Sequence, residues 1–170
     1  MDLASAIIRV VVTDANIIIN LLHINSLGLL GIMPGYEFVV PDEVVREVTE
    51  PGQRQALQNT IDSGVLRTIT VEDIAALKLF GELSVVMGPG EAACLSLAQT
   101  RGWLIASDER KVFRREAVAR LGSGRIINAA GILVRAIRVG LIDVDEADRM
   151  KAVLEKHRFR MRFASFRELF

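Results

Sequence analysis

Cysteine is almost missing from this 170-residue chain: Cys94 is the only one, so neither an internal disulfide nor a thiolate metal cage can form. That composition suits a reducing cytoplasm, with Cys94 read as a small buried hydrophobe. The two histidines, His23 and His157, are too isolated to favour zinc. With one Trp and one Tyr, and most Phe residues near the C-terminus, the chain has no obvious row of aromatics on which bases could stack. A charge excess is missing too, because 21 Lys and Arg balance 21 Asp and Glu. Any affinity for a polyanion must therefore come from local clustering. No membrane span is expected. Ala15 to Tyr36 contains no Asp, Glu, Lys or Arg, but Asn16, Asn20, His23, Asn25 and Ser26 interrupt it and Gly28, Gly31 and Pro34 break it. Asp2 ahead of Arg9 also argues against a signal peptide, so a soluble cytoplasmic protein is the expectation. Pro/Ser/Gly-rich linkers, charge blocks and internal repeats are all lacking. One domain over residues 1–170 follows, with 145–170 a C-terminal extension packed on the core or on a partner subunit.

What is present is an alternation of strand and helix. Ile7 to Thr13 is apolar and β-branched apart from Arg9 and predicts a buried strand ending at Asp14-Ala15-Asn16. An Ile- and Leu-rich helix should run to about Leu30. A second strand, Tyr36 to Val40, stops at Pro41, and Asp42 to about Thr49 predicts a short helix with an acidic first turn. Pro51-Gly52 closes that unit. Then come a helix from Gln53 to about Ser63, a strand near Leu66 to Thr70, and a helix beginning at Thr70 or Val71. After the break at Gly88-Pro89-Gly90, a helix over Glu91 to Gln99 precedes a strand over Trp103 to Ser107. A charged helix from Glu109 to Leu121, a strand over Arg125 to Asn128 and a helix to Val139 complete the series. This alternation predicts an α/β fold of three layers, α/β/α, around a central, mostly parallel sheet.

Open parallel sheets bind ligands beyond the carboxyl ends of their strands, which singles out Asp14 and Asp108. Each follows an apolar strand and a hydroxyl residue, Thr13 or Ser107. One such Asp alone is equally well read as the N-cap of the next helix. Glu91 shares a helical stripe with Cys94, Leu95 and Ala98, the set that should face the core, although a first-turn Glu also suits the helix dipole. On the short second helix Glu47 lies closest to the side marked by Val44, Val45 and Val48, with Asp42, Glu43 and Glu50 pointing farther out. A solvated position explains Glu47 at least as well. The hydroxyls of Thr13 and Ser107 could orient neighbouring carboxylates, and Asn16 could hydrogen-bond a metal-bound water or fix Asp14; local turn bonding is the plainer use of all three.

Four segments in this order resemble the PIN domain: Val10-Val11-Val12-Thr13-Asp14-Ala15-Asn16, Pro41-Asp42-Glu43-Val44-Val45-Arg46-Glu47-Val48, Gly90-Glu91-Ala92-Ala93-Cys94-Leu95, and Leu104-Ile105-Ala106-Ser107-Asp108-Glu109-Arg110. Many members carry Asp at the third position. Glu91, followed by Gly102-Trp103-Leu104-Ile105, resembles a prokaryotic subgroup that often has a second Asp where this chain has Glu109. The resemblance implies a metal-dependent endoribonuclease with Asp14, Glu47, Glu91 and Asp108 as catalytic and metal-binding residues, leaving 5′-phosphate and 3′-hydroxyl ends. It further implies a toxin of the VapC type paired with an antitoxin, a homodimer, and RNA as substrate. A housekeeping RNA-processing nuclease and an inactive PIN-like binding module are the alternatives. A haloacid-dehalogenase-like phosphatase would want a second Asp two residues after Asp14, where Asn16 stands.

Carboxylates that converge repel one another and call for positive charge, and an all-oxygen set without His or Cys selects Mg²⁺ or Mn²⁺. Arg110, Lys111, Arg114 and Arg115 form the basic cluster nearest the acids, read either as phosphate-binding or as a solvated face paired with Glu109 and Glu116. At the C-terminus Phe159, Met161 and Phe163 alternate with Arg158, Arg160 and Arg162, which predicts an extended segment with one apolar side. Ser165 and Glu168 then resemble a capping box opening a last helical turn.

Overall fold

The computed structural model describes residues 7–170. Five parallel strands form one sheet in the order β3-β2-β1-β4-β5. Its centre is β1 (Arg9–Thr13), flanked by β2 (Tyr36–Pro41) and β4 (Leu104–Ala106), with β3 (Arg67–Ile69) and β5 (Ile126–Ile127) at the edges. Val12 pairs with Val39 on one side and with Ile105 on the other. Val11, Val12 and Thr13 are wholly buried, as in a central strand covered on both faces. The sheet is parallel throughout, a cleaner pattern than the sequence promised.

Nine helices cover it: α1 (Ala15–His23), α2 (Leu29–Ile32), α3 (Asp42–Glu47), α4 (Pro51–Asp62), α5 (Ile74–Leu83), α6 (Pro89–Arg101), α7 (Lys111–Leu121), α8 (Ala129–Arg138) and α9 (Val144–Lys156). One layer contains α1, which packs on α4, α8 and α9; the other contains α6 between α5 and α7. Right-handed crossovers from β1 leftward and from β4 rightward put these groups on opposite faces. The strand order changes direction between the paired β1 and β4, the switch point at whose strand ends open α/β sheets hold ligands.

Helix α6 lies against β1, β2 and β4 and is buried almost all round, from Ala92 to Ala98. Its Gly, Ala, Cys and Ser side chains let it approach the sheet closely. Cys94 is buried and free, and burial first, then the nearby acids, push its thiol well above the ordinary range.

Several boundaries differ from expectation. β1 starts at Arg9, leaving Ile7 and Ile8 exposed. The helix expected to reach Leu30 stops at His23, because Asn25 turns the chain with φ 53°. Pro51 and Pro89 do not close units; each stands at the first turn of a helix, where a missing N–H costs nothing. Asp73 caps α5 instead of lying inside it, accepting from Ala76 N. Helix α9 lies outside the elements expected from the sequence. Beyond α9 the chain runs from Arg158 to Phe163 without joining the sheet, yet the expected alternation holds: Phe159, Met161 and Phe163 pack on the core while the arginines between them are exposed. Ser165 caps a short 3-10 turn, Phe166–Leu169, and Phe166 is completely buried.

The two histidines are not isolated in space. His23 ends α1, His157 caps α9, and their rings stack 3.6 Å apart at 12°. Burial and the neighbouring His157 hold the His23 imidazole below its usual value.

Candidate active site at the strand ends

Asp14 is where β1 turns into α1. Its backbone N–H donates to Ala106 O, tying the end of β1 to β4. One carboxylate oxygen accepts from Ala15 N at 2.8 Å, making Asp14 the N-cap, and the other accepts from Ser107 Oγ at 3.0 Å. Capping does not exhaust its role, because Asp14 is only 2% exposed. Burial is the main cause that pushes its pKa up to about 7, with Glu91 and Glu109 adding repulsion against the two hydrogen bonds.

The loop after β4 is pinned by amides. Ser107 Oγ also accepts from Glu109 N, and Asn16 Oδ1 accepts from Asp108 N while its Nδ2 donates to Glu109 Oε1 at 2.9 Å. Asn16 thus positions the Asp108-Glu109 pair, not Asp14. Asn20, one turn along α1 on the same face, donates to Asp108 Oδ2 at 3.0 Å. The sequence reading passed over it, although its i+4 spacing from Asn16 was a usable signal. Asp108 Oδ1 accepts from Ala129 N at the start of α8. Burial raises the Asp108 pKa, against these donors and Arg110. Of the two neighbouring acids, Glu109 is the one whose charge is felt at both Asp14 and Glu91.

Glu47 ends α3 and reaches across to α6, accepting from Gly90 N at 2.8 Å. A Cβ on Gly90 would stand 2.5 Å from Glu47 Oε1, so only glycine permits this approach. Glu91 is half-buried and accepts from Gly88 N at 3.3 Å, closing a capping box; burial raises its pKa, and Glu109 and Glu47 raise it further. The apolar stripe used to orient Glu91 does not discriminate, since Ala92, Ala93 and Leu97 are equally buried. Glu43 departs from expectation. Its side chain is 14% exposed, one oxygen meets Arg46 at 3.3 Å, and Oε2 is buried without a protein partner. Thr13 makes only a 3.5 Å contact to Val11 O.

Residues 10–169 match the family model described as DUF3368: PIN domain. The chain belongs to the PIN-domain family. Among solved structures, VapBC2 from Rickettsia felis bound to a DNA fragment from their promoter is similar at 15% identity, covering 70% of this chain and 98% of that chain, with a TM-score of 0.48. Comparison with curated proteins gives no match.

In this PIN domain the acids form a network rather than a finished cage: among the described residues no three His, Cys, Asp or Glu side chains are arranged to hold a metal ion. The basic residues separate in a similar way. Arg110 and Arg114 line the cavity beside Asp108 and Glu109. Lys111 and Arg115 do not line it, and Arg115 lies 3.8 Å from Glu116. No described helix of this PIN domain is long and apolar enough to cross a membrane.

Proposed function

We propose that this PIN domain is a divalent-cation-dependent endoribonuclease. The observation that carries the reading is Asp14, a carboxyl buried at the central strand end and pushed to a pKa of about 7 while Glu91 and Glu109 repel it. A fold gains nothing from burying mutually repelling acids unless positive charge completes the site.

The residues fit a hard cation by donor chemistry. Asp14, Glu47, Glu91 and Asp108 offer only oxygen, and Glu43 Oε2 is a buried oxygen without a protein partner, although the carboxylates have to close in before any three of them share one ion. Mg²⁺ or Mn²⁺ would be held by Asp14, Glu91 and Asp108, with Glu47 completing the set. When bound, such an ion polarises the phosphodiester and makes water a competent nucleophile near neutral pH. The protein's own part is positional. Ser107 fixes the Asp14 carboxylate, Asn16 and Asn20 fix Glu109 and Asp108, and Gly90 N–H fixes Glu47.

The test is incubation with 5′-labelled single-stranded RNA in Mg²⁺, Mn²⁺ or chelator. Cleavage in either metal and none in chelator is expected; binding without cleavage under all three conditions would leave the non-catalytic binding module as the better reading. Within this reading the chain is the toxin of a toxin–antitoxin pair or a housekeeping RNA-processing nuclease, and the Gly90-Glu91 and Gly102-Trp103-Leu104-Ile105 layout it shares with a prokaryotic subgroup suits either. An antitoxin partner and subunit pairing belong to the same reading, and exposed Ile74, Leu77, Val85 and Val86 offer apolar surface for such contacts.

Gly90 supplies an independent check. In Gly90→Ala the Glu47 carboxylate has to leave Gly90 N, but it is the end of a flexible side chain and yields without unfolding. Thermal stability should stay within about 1 kcal/mol, helped by alanine's helix propensity. Metal-dependent cleavage should fall roughly 10-fold or more, as for other residues that position a ligand. Unchanged activity would remove Glu47 from the site.

A further inference from the structure

The segment after α9 does more than close the fold. It crosses in front of the acidic centre and borders two cavities of about 490 and 460 Å³, both lined by Asp108, Glu109, Arg110, Phe159 and Arg160. Arg114 and Arg162 join the larger cavity and Arg158 the smaller. Five arginines therefore border two cavities that share the carboxylates of Asp108 and Glu109. Among the described residues none of the five enters a salt bridge, and none of their side chains donates a hydrogen bond to the protein. Exposed cations that no protein carboxylate pairs are free to take up an anion from solution, and their combined field draws one there.

The backbone adds a second sign. Phe159 N donates to Leu154 O and Arg158 N to Glu155 O, so α9 ends in a Schellman motif whose left-handed position is Arg158, at φ 65°. Glycine is the cheapest residue there, yet an arginine occupies it. Lys111, directly after Arg110 across the cleft, has φ 59°. Among the described residues, two of the three non-glycine residues with positive φ are thus basic residues flanking the acids.

We propose that Arg158, Arg160 and Arg162, facing Arg110 and Arg114, form a cationic strap that grips the phosphodiester backbone of a single-stranded nucleic acid and leads it to the acidic centre. The alternation makes this possible: Phe159, Met161 and Phe163 anchor the strap to the core and turn every intervening arginine outward. Exposed guanidiniums on alternate residues can hold phosphates without reading base identity. The neutral net charge of the chain is thereby compatible with nucleic-acid binding, because the positive field is concentrated at one cleft. The inference rests on the nuclease reading for its choice of RNA as the main ligand.

The test measures fluorescence anisotropy of a labelled 12-nucleotide RNA, and of DNA of the same sequence, in chelator from 50 to 200 mM salt. The double variant Arg160→Ala/Arg162→Ala should bind RNA roughly tenfold more weakly, and the slope of log affinity against log salt should shrink by about 1.4. With Mn²⁺ its KM should rise by about the same factor while kcat changes little. Arg158→Gly should separate binding from folding, raising the Tm by roughly 2–4 °C as left-handed strain is relieved, yet weakening RNA binding. Unchanged affinity and salt slope in the folded double variant would overturn the proposal, leaving the strap to a protein partner. If wild type binds RNA through the strap but no metal supports cleavage, the nuclease reading fails and the strap stands.

Discussion

Asp14→Asn is expected to do two opposite things: abolish metal-dependent cleavage and make the metal-free protein more stable at alkaline pH. Activity should fall about 100-fold or more, because a neutral amide is a poor ligand for a hard cation whose charge stabilisation supplies several kcal/mol. Stability follows from where the proton sits. The folded carboxyl holds its proton up to a pKa of about 7, against an ordinary value of 3.8. Below 3.8 both folded and unfolded chains are protonated and burial carries no ionisation penalty. Between 3.8 and 7 the unfolded chain has released its proton while the folded one keeps it, so stability declines as pH rises, and above about 7 the loss is complete. At about 1.4 kcal/mol per pH unit the penalty is at most about 4 kcal/mol. Asparagine escapes it but must turn its amide toward Ser107 Oγ, which already accepts from Glu109 N, losing roughly 1 kcal/mol. A net gain of about 2–3 kcal/mol at pH 8, shrinking toward pH 5, should appear in urea denaturation with chelator present. The same linkage makes metal affinity rise with pH through about 7, since binding must displace the Asp14 proton. Full activity in the purified variant would refute the site; equal stability at pH 8 would show that Asp14 is ionised at little cost.

The fold was legible because its strands are central and parallel. Val10-Val11-Val12 and Leu104-Ile105-Ala106 are apolar on both faces, so they stand out without any long-range information, and Asp14 and Asp108 are marked by following them. Glu91 is marked by the stripe it shares with Cys94, Leu95 and Ala98, and Glu47 chiefly by the resemblance to the PIN domain. What periodicity could not supply was side-chain direction at helix ends. Glu43, expected outside, has a buried oxygen, whereas Glu47 belongs to an exposed residue whose carboxylate finds its partner on another helix. Sequence alone leaves Asn16 between Asp14, a metal-bound water and a local turn, whereas its amide spans to Glu109, 93 residues away. The stacked His23 and His157 rings depend on α1 and α9 packing together, which no local signal announces. Residues 144–156 escaped notice as a helix because the segment is rich in charged residues, with Ala147, Lys151 and Leu154 marking a narrow buried stripe.

Phe166→Ala should cost about 3–5 kcal/mol, a large part of the 5–15 kcal/mol that holds a domain of this kind together. Phe166 is the first of the largest wholly buried side chains, and its ring meets Phe163 edge-on at 4.9 Å between centroids. The turn that presents it is held to α9 by Asp148, which accepts from Ser165 Oγ at 2.6 Å and from Phe166 N at 2.8 Å; these bonds keep the Asp148 pKa below its usual value. Deleting the ring leaves a cavity under the end of the strap and removes the largest apolar anchor downstream of Phe159 to Phe163, so RNA affinity should fall with stability. Phe166→Leu separates the two causes: it restores most of the volume, should cost less than about 1.5 kcal/mol, and should bind RNA nearly as wild type. Denaturant titration reads the first quantity and anisotropy the second. The magnitude also decides where the C-terminal extension belongs in solution. A loss of several kcal/mol independent of protein concentration places the tail on its own core, as Phe166 lies here. A loss under 1 kcal/mol, accompanied by conversion of a dimer to a monomer in light scattering, would place it over a partner subunit, because only then does the ring's burial depend on a second chain.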